Sequence, residues 1–166
     1  MMRVYIPATV AMLQQFVADG SLWPVNGTAF GVTPALREAY AEGDDDELGE
    51  VALADAALAS LRLLAGDCAL DLPPRRAVLV AHVEDVTLRP DLDDAVVRLG
   101  APVVIDDVVA AFVDNAAAER DVTAAIAVVD AADLGDEDAE LTVGDAQDHD
   151  LAWYATQELP FLLDLL

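Results

Sequence analysis

Residues 77–83 read Ala-Val-Leu-Val-Ala-His-Val, and this short run constrains the fold more than any other part of the chain. Successive side chains of a strand point to opposite faces. Here both faces are apolar except at His82, so the segment belongs at the centre of a sheet rather than at a solvent-washed edge. Pro73-Pro74 stand just before it and divide a mainly helical first half from a strand-rich second half.

The first half carries clear start and stop signals. Arg3 to Ile6 reads as a strand ended by Pro7; Thr9 then caps a helix over 10–19 that stops at Gly20. Asn26-Gly27 marks a tight turn and Thr28 to Val32 an extended segment. Thr33-Pro34 supplies a cap with proline at the first helical position, opening a helix to about Tyr40. After the break at Glu42-Gly43, Asp44 and Glu47 form a capping-box pattern. Leu48, Val51, Ala54, Leu58 and Leu61 then recur at helical spacing up to Gly66.

Downstream of the central strand, Ala95–Leu99 and Val109–Val113 read as further strands, with Pro102 and Asp106-Asp107 at the bend between them. Asp114 or Asn115 caps a helix to about Ala132, whose buried stripe is Val122, Ile126 and Val129. The acidic stretch Asp133–Glu140 reads as a loop. Leu141–Val143 and Leu151–Ala155 read as a closing hairpin with Trp153 and Tyr154 on opposite faces, after which Pro160 ends the strand and the apolar tail Phe161–Leu166 docks. The expectation is one α+β domain over residues 1–166, two layers, with helices packed on a mixed sheet of about five strands in a ferredoxin-like variant.

Charge bounds the function. The 166 residues include no lysine, and eight arginines face 32 carboxylates for a formal net charge of -24. Nucleic acid and anionic membrane both attract proteins through cations that neutralise phosphates, so neither is expected as a partner. The excess is uneven: residues 1–83 hold 11 acids and 5 Arg, residues 84–166 hold 21 acids and 3 Arg. Solubility in a lysine-poor, aspartate-rich proteome accounts for the acidity in general. Crowding after residue 84 is expected to raise carboxylate pKa values there, and a protein partner with a basic surface would be drawn to that half.

The lone Cys68 has no partner for an internal disulfide and no Cys/His cluster for zinc, which fits a reducing cytoplasm. The N-terminal residues, with Pro7, Gln14 and Gln15 interrupting any apolar core, do not read as a signal peptide. No cofactor and no metal is expected. Glycine-rich phosphate loops, H-E-x-x-H and G-x-S-x-G are all missing from the sequence. Asp44, Asp46, Gly49 and Asp55 fall at calcium-loop spacing, but Leu48 occupies a ligand position and Asp55 replaces the bidentate glutamate, so helix capping explains the run better. His82 reads as a half-buried strand residue, and His149, flanked by Asp148 and Asp150, as a pH-sensitive turn residue.

One constellation offers a ligand site. Arg37 and Tyr40, three apart on a helix, share a face. Arg3 and Tyr5 share one side of the first strand. Were these elements neighbours, Arg3, Arg37 and the helix start at Thr9 would form an anion-binding corner, with Tyr154 or Glu158 as further contributors.

Three segments, MRVYIPAT at the start, VTPALREAYAEGD over 32–44 and WYATQELP near the end, resemble a family of small actinobacterial proteins of unknown function. The resemblance spans nearly the whole chain and implies a high-GC Gram-positive cytoplasm, with no activity, substrate or cofactor attached.

Two function classes follow. The first is a non-enzymatic acidic interaction or regulatory module of the bacterial cytoplasm. The second is a small-molecule (anion) binding protein or enzyme built on Arg3, Tyr5, Thr9, Arg37, Tyr40, Tyr154 and Glu158. Oligomeric state is open at this point.

Overall fold

The computed structural model describes residues 1–40, 42–66 and 72–166. The first half forms β1 (Met2–Ala8), α1 (Val10–Asp19), β2 (Ser21–Leu22), β3 (Thr28–Gly31), α2 (Pro34–Ala39) and α3 (Asp45–Gly66). Strands β4 (Ala77–Val83), β5 (Val86–Leu88), β6 (Val96–Leu99), β7 (Val103–Val104) and β8 (Val108–Val113) follow. The chain closes with α4 (Glu119–Asp133), α5 (Glu137–Gln147), β9 (Ala152–Tyr154) and α6 (Leu159–Asp164).

Seven strands make the main sheet in the order β5-β6-β3-β1-β4-β8-β9, and β2 pairs with β7 in a separate ladder. Every pairing among the described residues is antiparallel. The α+β class holds, but the sheet is larger than the expected five strands and is not mixed. A ferredoxin-like arrangement needs a parallel pair joined through a helix, and no such pair occurs among the described residues. After α1 the chain passes through the β2–β7 ladder and returns beside β1 as β3, in the antiparallel sense. Strands such as β2, β5 and β7, two or three residues long, are too short for an alternation to be read from sequence and exist only because a partner pairs with them.

Strand β4 is central, as its two apolar faces require: it lies between β1 and β8, and Ala77, Val78, Leu79 and Ala81 are wholly buried. Helices cover both faces, which makes three layers rather than two. On one side Val4, Ile6, Leu79 and Val113 pack with Leu13 and Phe16 of α1 and Leu159 and Leu162 of α6. On the other side Tyr5, Val78 and Val80 meet Leu48, Ala52 and Ala56 of α3. Each fully buried Leu or Phe here contributes about 1.5–3 kcal/mol through loss of hydrated apolar surface. A third cluster joins Leu61 of α3 to Val122, Ala125 and Val129 of α4 and Val143 and Ala146 of α5.

The helix starts behave largely as their sequences dictate. The hydroxyl of Thr9 accepts from the Met12 amide at 3.2 Å, that of Thr33 accepts from Leu36 at 3.1 Å, and Asp44 accepts from Glu47 at 2.9 Å. Gly20 ends α1 in the left-handed region at φ 77°, which an L side chain resists. Asn115, not Asp114, caps the turn that leads into α4.

The acidic stretch after Asp133 departs from expectation. Asp136 caps α5 by accepting from Ala139 at 2.9 Å, and Glu137, Asp138 and Glu140 fill the first turn. Acids are stabilising there because the unpaired amides of a helix N-terminus carry partial positive charge. Leu141–Val143 is therefore helical, no closing hairpin forms, and β9 pairs with β8 instead. Pro160 sits at the start of α6 rather than merely ending a strand, and the tail docks as a helix.

Asp114 is held by Arg76, and both side chains are buried. The guanidinium donates to both carboxylate oxygens at 2.8 Å, to Gln147 Oε1 at 2.9 Å and to the His149 carbonyl at 2.9 Å. One cation thus ties the start of β4 to the end of β8 and the end of α5, and sets the height at which the chain enters β9.

Candidate functional site

An open trough runs along one flank of α3, above the sheet. Asp45, Asp46, Gly49, Glu50 and Leu53 recur at three- and four-residue spacing and so form one wall. The floor is Val80 of β4, Val109, Ala110 and Phe112 of β8, and Trp153 of β9; Arg3 and Tyr5 of β1 close one end. This part encloses about 340 Å³. It continues past Glu50, Leu53 and Phe112 into a second hollow of about 400 Å³ bounded by Gln147, His149, Asp150 and Leu151.

Local backbone features shape it. Register shifts between Val80 and Ala81, so that Val80 pairs with Ala110 and Ala81 with Val108, leaving Val109 as the extra residue of a β-bulge. The bulge presents Val109 and Ala110 together to the trough. Trp153 pairs with Phe112, and alternation carries Tyr154 to the opposite face beside Ala111. At Gly49 a Cβ would come within 2.8 Å of the Tyr5 hydroxyl, so glycine lets α3 settle onto β1 at this point.

The trough is acidic and only partly neutralised. Asp45 is paired with Arg37, and Arg3 donates its Nε hydrogen to His82 Nε2 at 3.3 Å. Asp46 and Glu50 have no ion-pair or side-chain hydrogen-bond partner among the described residues, and Trp153 is 58% exposed. Further along α3, burial pushes the Asp55 carboxyl up to about 6; Asp93 adds to the rise, Arg62 opposes it and Asp94 adds a smaller part. Carboxylates with an arginine on them move the other way. A hydrogen bond from Arg89 lowers Asp91, and one from Arg62 lowers Asp133. The carboxyl held well above its usual range is thus Asp55, in the first half of the chain, raised mainly by burial, with Asp93 and Asp94 from the second half adding to it.

Of the residues singled out from sequence, Arg3 and Tyr5 line the trough and Arg37 reaches its rim through Asp45. Tyr40 is exposed at the end of α2, outside the lining. Thr9 is at the far end of β1, roughly 20 Å of strand from Arg3, and caps α1 behind the sheet. Tyr154 packs on that same side, and Glu158 accepts from the Ala155 amide at 3.3 Å. His82 lies beside Arg3 in the β1–β4 ladder, and His149 Nε2 is 2.7 Å from Asp121. Cys68 falls outside the described residues. Among those residues no group of three or more His, Cys, Asp or Glu is placed to hold a metal ion. No helix among the described residues is long and apolar enough to cross a membrane.

Sequence reasoning passed over Asp46, Glu50, Phe112 and Trp153 as a group. The alternation that puts Trp153 opposite Tyr154 was readable; its meeting with α3, about a hundred residues upstream, was not.

The chain belongs to a family of unknown function, DUF6912, whose model matches residues 2–163. No curated protein and no solved structure matches it.

Proposed function

We propose that this protein is a non-enzymatic interaction module that takes a basic segment of a protein partner into the trough between α3 and the β4–β8–β9 surface. One observation carries this reading: the half-exposed indole of Trp153 lies on an apolar floor under two unpaired carboxylates, Asp46 and Glu50. An arginine or lysine side chain stacks its cation on such a ring and meets a carboxylate at the same time. The wall from Asp45 to Ala57 is about 18 Å of helix, the length of five or six residues of extended chain. The net charge of -24 steers a basic partner toward the protein and away from phosphate backbones.

The alternative, a small anion held by Arg3 and Arg37, has less support. Arg3 shares the trough with three carboxylates, and Arg37 already pairs with one of them.

Calorimetric titration with an Arg/Lys-rich octapeptide, and with a Glu-rich peptide of equal length, tests the proposal. Micromolar binding of the basic peptide at low salt is expected, weakening as salt rises. Trp153→Ala and the pair Asp46→Asn with Glu50→Gln should each weaken it at least tenfold. Equal binding by these variants refutes the site. A rise in melting temperature with millimolar phosphate that is absent with chloride and lost in Arg37→Ala would favour the anion reading instead.

A further inference from the structure

Arg3 and Tyr5 alternate onto the same side of β1, about 7 Å apart, and both line the closed end of the trough. Tyr5 is only 8% exposed, yet its hydroxyl makes no hydrogen bond among the described residues and is not sealed in the core. A phenol so deeply set ordinarily finds a partner. This one lies against Gly49, which has no side chain to offer it, and faces the trough. Beside it, Arg3 donates its Nε hydrogen to His82, the residue opposite it in the ladder, and so leaves both Nη groups without a partner among the described residues. No carboxylate pairs with Arg3, although Asp45, Asp46 and Glu50 share the trough. The open edge of a guanidinium and a phenol hydroxyl are donors matched to the two oxygens of a carboxylate.

We propose that the closed end of the trough captures the free C-terminal carboxylate of the basic segment on Arg3 and Tyr5, with the segment's cation at its last or last-but-one residue. This rests on the reading of the trough as a site for a basic segment, and names the part of the partner that enters it. Gly49 stands over Tyr5, so Asp46 and Glu50 lie within one turn of that hydroxyl, about 5 Å along the helix. An extended chain advances about 3.3 Å per residue, which places a cation for these carboxylates within two residues of the carboxylate on Arg3. A free anion is turned away by the three acids of the trough; one carried on a cationic segment is drawn in by them. Arg3 and Tyr5 stand across the end of the trough, so a segment lying in it stops there, and the carboxylate that meets them is the terminal one.

Calorimetry at low salt with an alanine-rich octapeptide ending in Arg-Lys, as the free acid and as the C-terminal amide, tests the capture. Steering by net charge alone favours the amide, which carries one more positive charge. The proposal requires the reverse order, with the acid bound about tenfold more tightly, as a hydrogen-bonded charged group contributes. Arg3→Gln, at an exposed position, should abolish that preference, and Tyr5→Phe, which keeps the ring, should reduce it about threefold. An amide that binds as well as the acid, or a preference that survives Arg3→Gln, overturns the proposal; if Trp153→Ala still abolishes binding of that amide, the trough remains a site for basic segments without a terminal clamp. Failure of both forms to bind removes the two readings together. A third peptide, an amide with glutamate added after the Arg-Lys pair, should bind more weakly than the acid, and equal binding would refute the assignment to a chain terminus.

Discussion

Behind one face of the sheet, α1 and α6 carry one carboxylate each and no arginine; over the other, α3 carries five carboxylates, and α4 and α5, which pack on α3, carry four each, with Arg62 and Arg120 as the only cations of these three helices. The apolar packing is similar on the two sides, so the sheet separates charge rather than hydrophobicity. The acidic side tolerates its load through placement. Asp45, Asp46 and Glu47 lie in the first turn of α3, Glu119 and Asp121 in that of α4, and Glu137, Asp138 and Glu140 in that of α5. Each group adjoins unpaired backbone amides that favour negative charge, by about 0.3–1 kcal/mol per residue. Carboxylates farther along the helices lack that help. Asp133 has Arg62, while Asp55 is partly buried and has Asp93 and Asp94 against it, opposed only in part by Arg62.

The largest test of this contrast is Arg76, the buried cation on which the acidic side converges. Arg76→Met leaves the Asp114 carboxylate buried without its partner, which should cost about 3–5 kcal/mol in urea unfolding. Adding Asp114→Leu should recover most of that loss, since a buried pair replaced by apolar groups is often close to neutral. If Arg76→Met alone is harmless, the acidic layer does not hang on this cation.

A smaller effect probes how closely the acidic layer sits on the sheet. Alanine is the better helix former by about 1 kcal/mol, yet Gly49→Ala should destabilise by about 1–2 kcal/mol, because its Cβ meets the Tyr5 hydroxyl at 2.8 Å and the Tyr5 ring is buried. Combined with Tyr5→Phe, the same change should become neutral or favourable. An additive double mutant would mean that α3 is not seated on Tyr5 at all.

The smallest expected effect concerns pH. The Asp55 pKa is raised to about 6 in the folded protein from 3.8, so the folded state holds a proton there that the unfolded chain has released. The stability this group contributes is therefore full below about pH 4 and lost as pH rises through 6. Asp55→Asn should stabilise the protein by about 1 kcal/mol at pH 7.5, after allowance for solvent screening of a half-exposed group, and by nothing at pH 3.5. Asp91 and Asp133, with lowered pKa values, act in the opposite sense and in a more acidic window, losing their contribution as pH falls through those values. Melts at the two pH values with and without Asp55→Asn settle the sign; equal gains at both would put the effect in packing rather than titration.

Local signals predicted local structure well in this chain. Thr9, Thr33 and Gly20 were readable because capping and left-handed backbone are properties of a few adjacent residues. The central place of β4 followed from its two apolar faces. At Asp136 the local signal was present, a capping aspartate followed by Ala139, Val143 and Ala146 on one helical face, but the density of acids around it resembled a solvated loop. Strand order, the third layer and the bulge at Val109 depend on which distant segments meet, and no window of sequence contains that. The same limit applied to the trough. Arg3 and Tyr5 were visible as one side of a strand, whereas the wall and floor come from α3 and β9, which only the completed sheet brings together.

The chain has two tryptophans, one on each side of the sheet: Trp23 is 54% exposed on the neutral side and Trp153 is 58% exposed in the trough. Both indoles are hydrated in the isolated molecule, so both should emit at the long-wavelength end of the tryptophan range and be open to quenching by iodide. Replacing either by phenylalanine leaves a reporter on a single surface. A blue shift and loss of quenching confined to Trp153 would register the arrival of a basic segment, with Trp23 as the internal control that should not respond. Binding at the trough can thus be followed in a single cuvette without any added label.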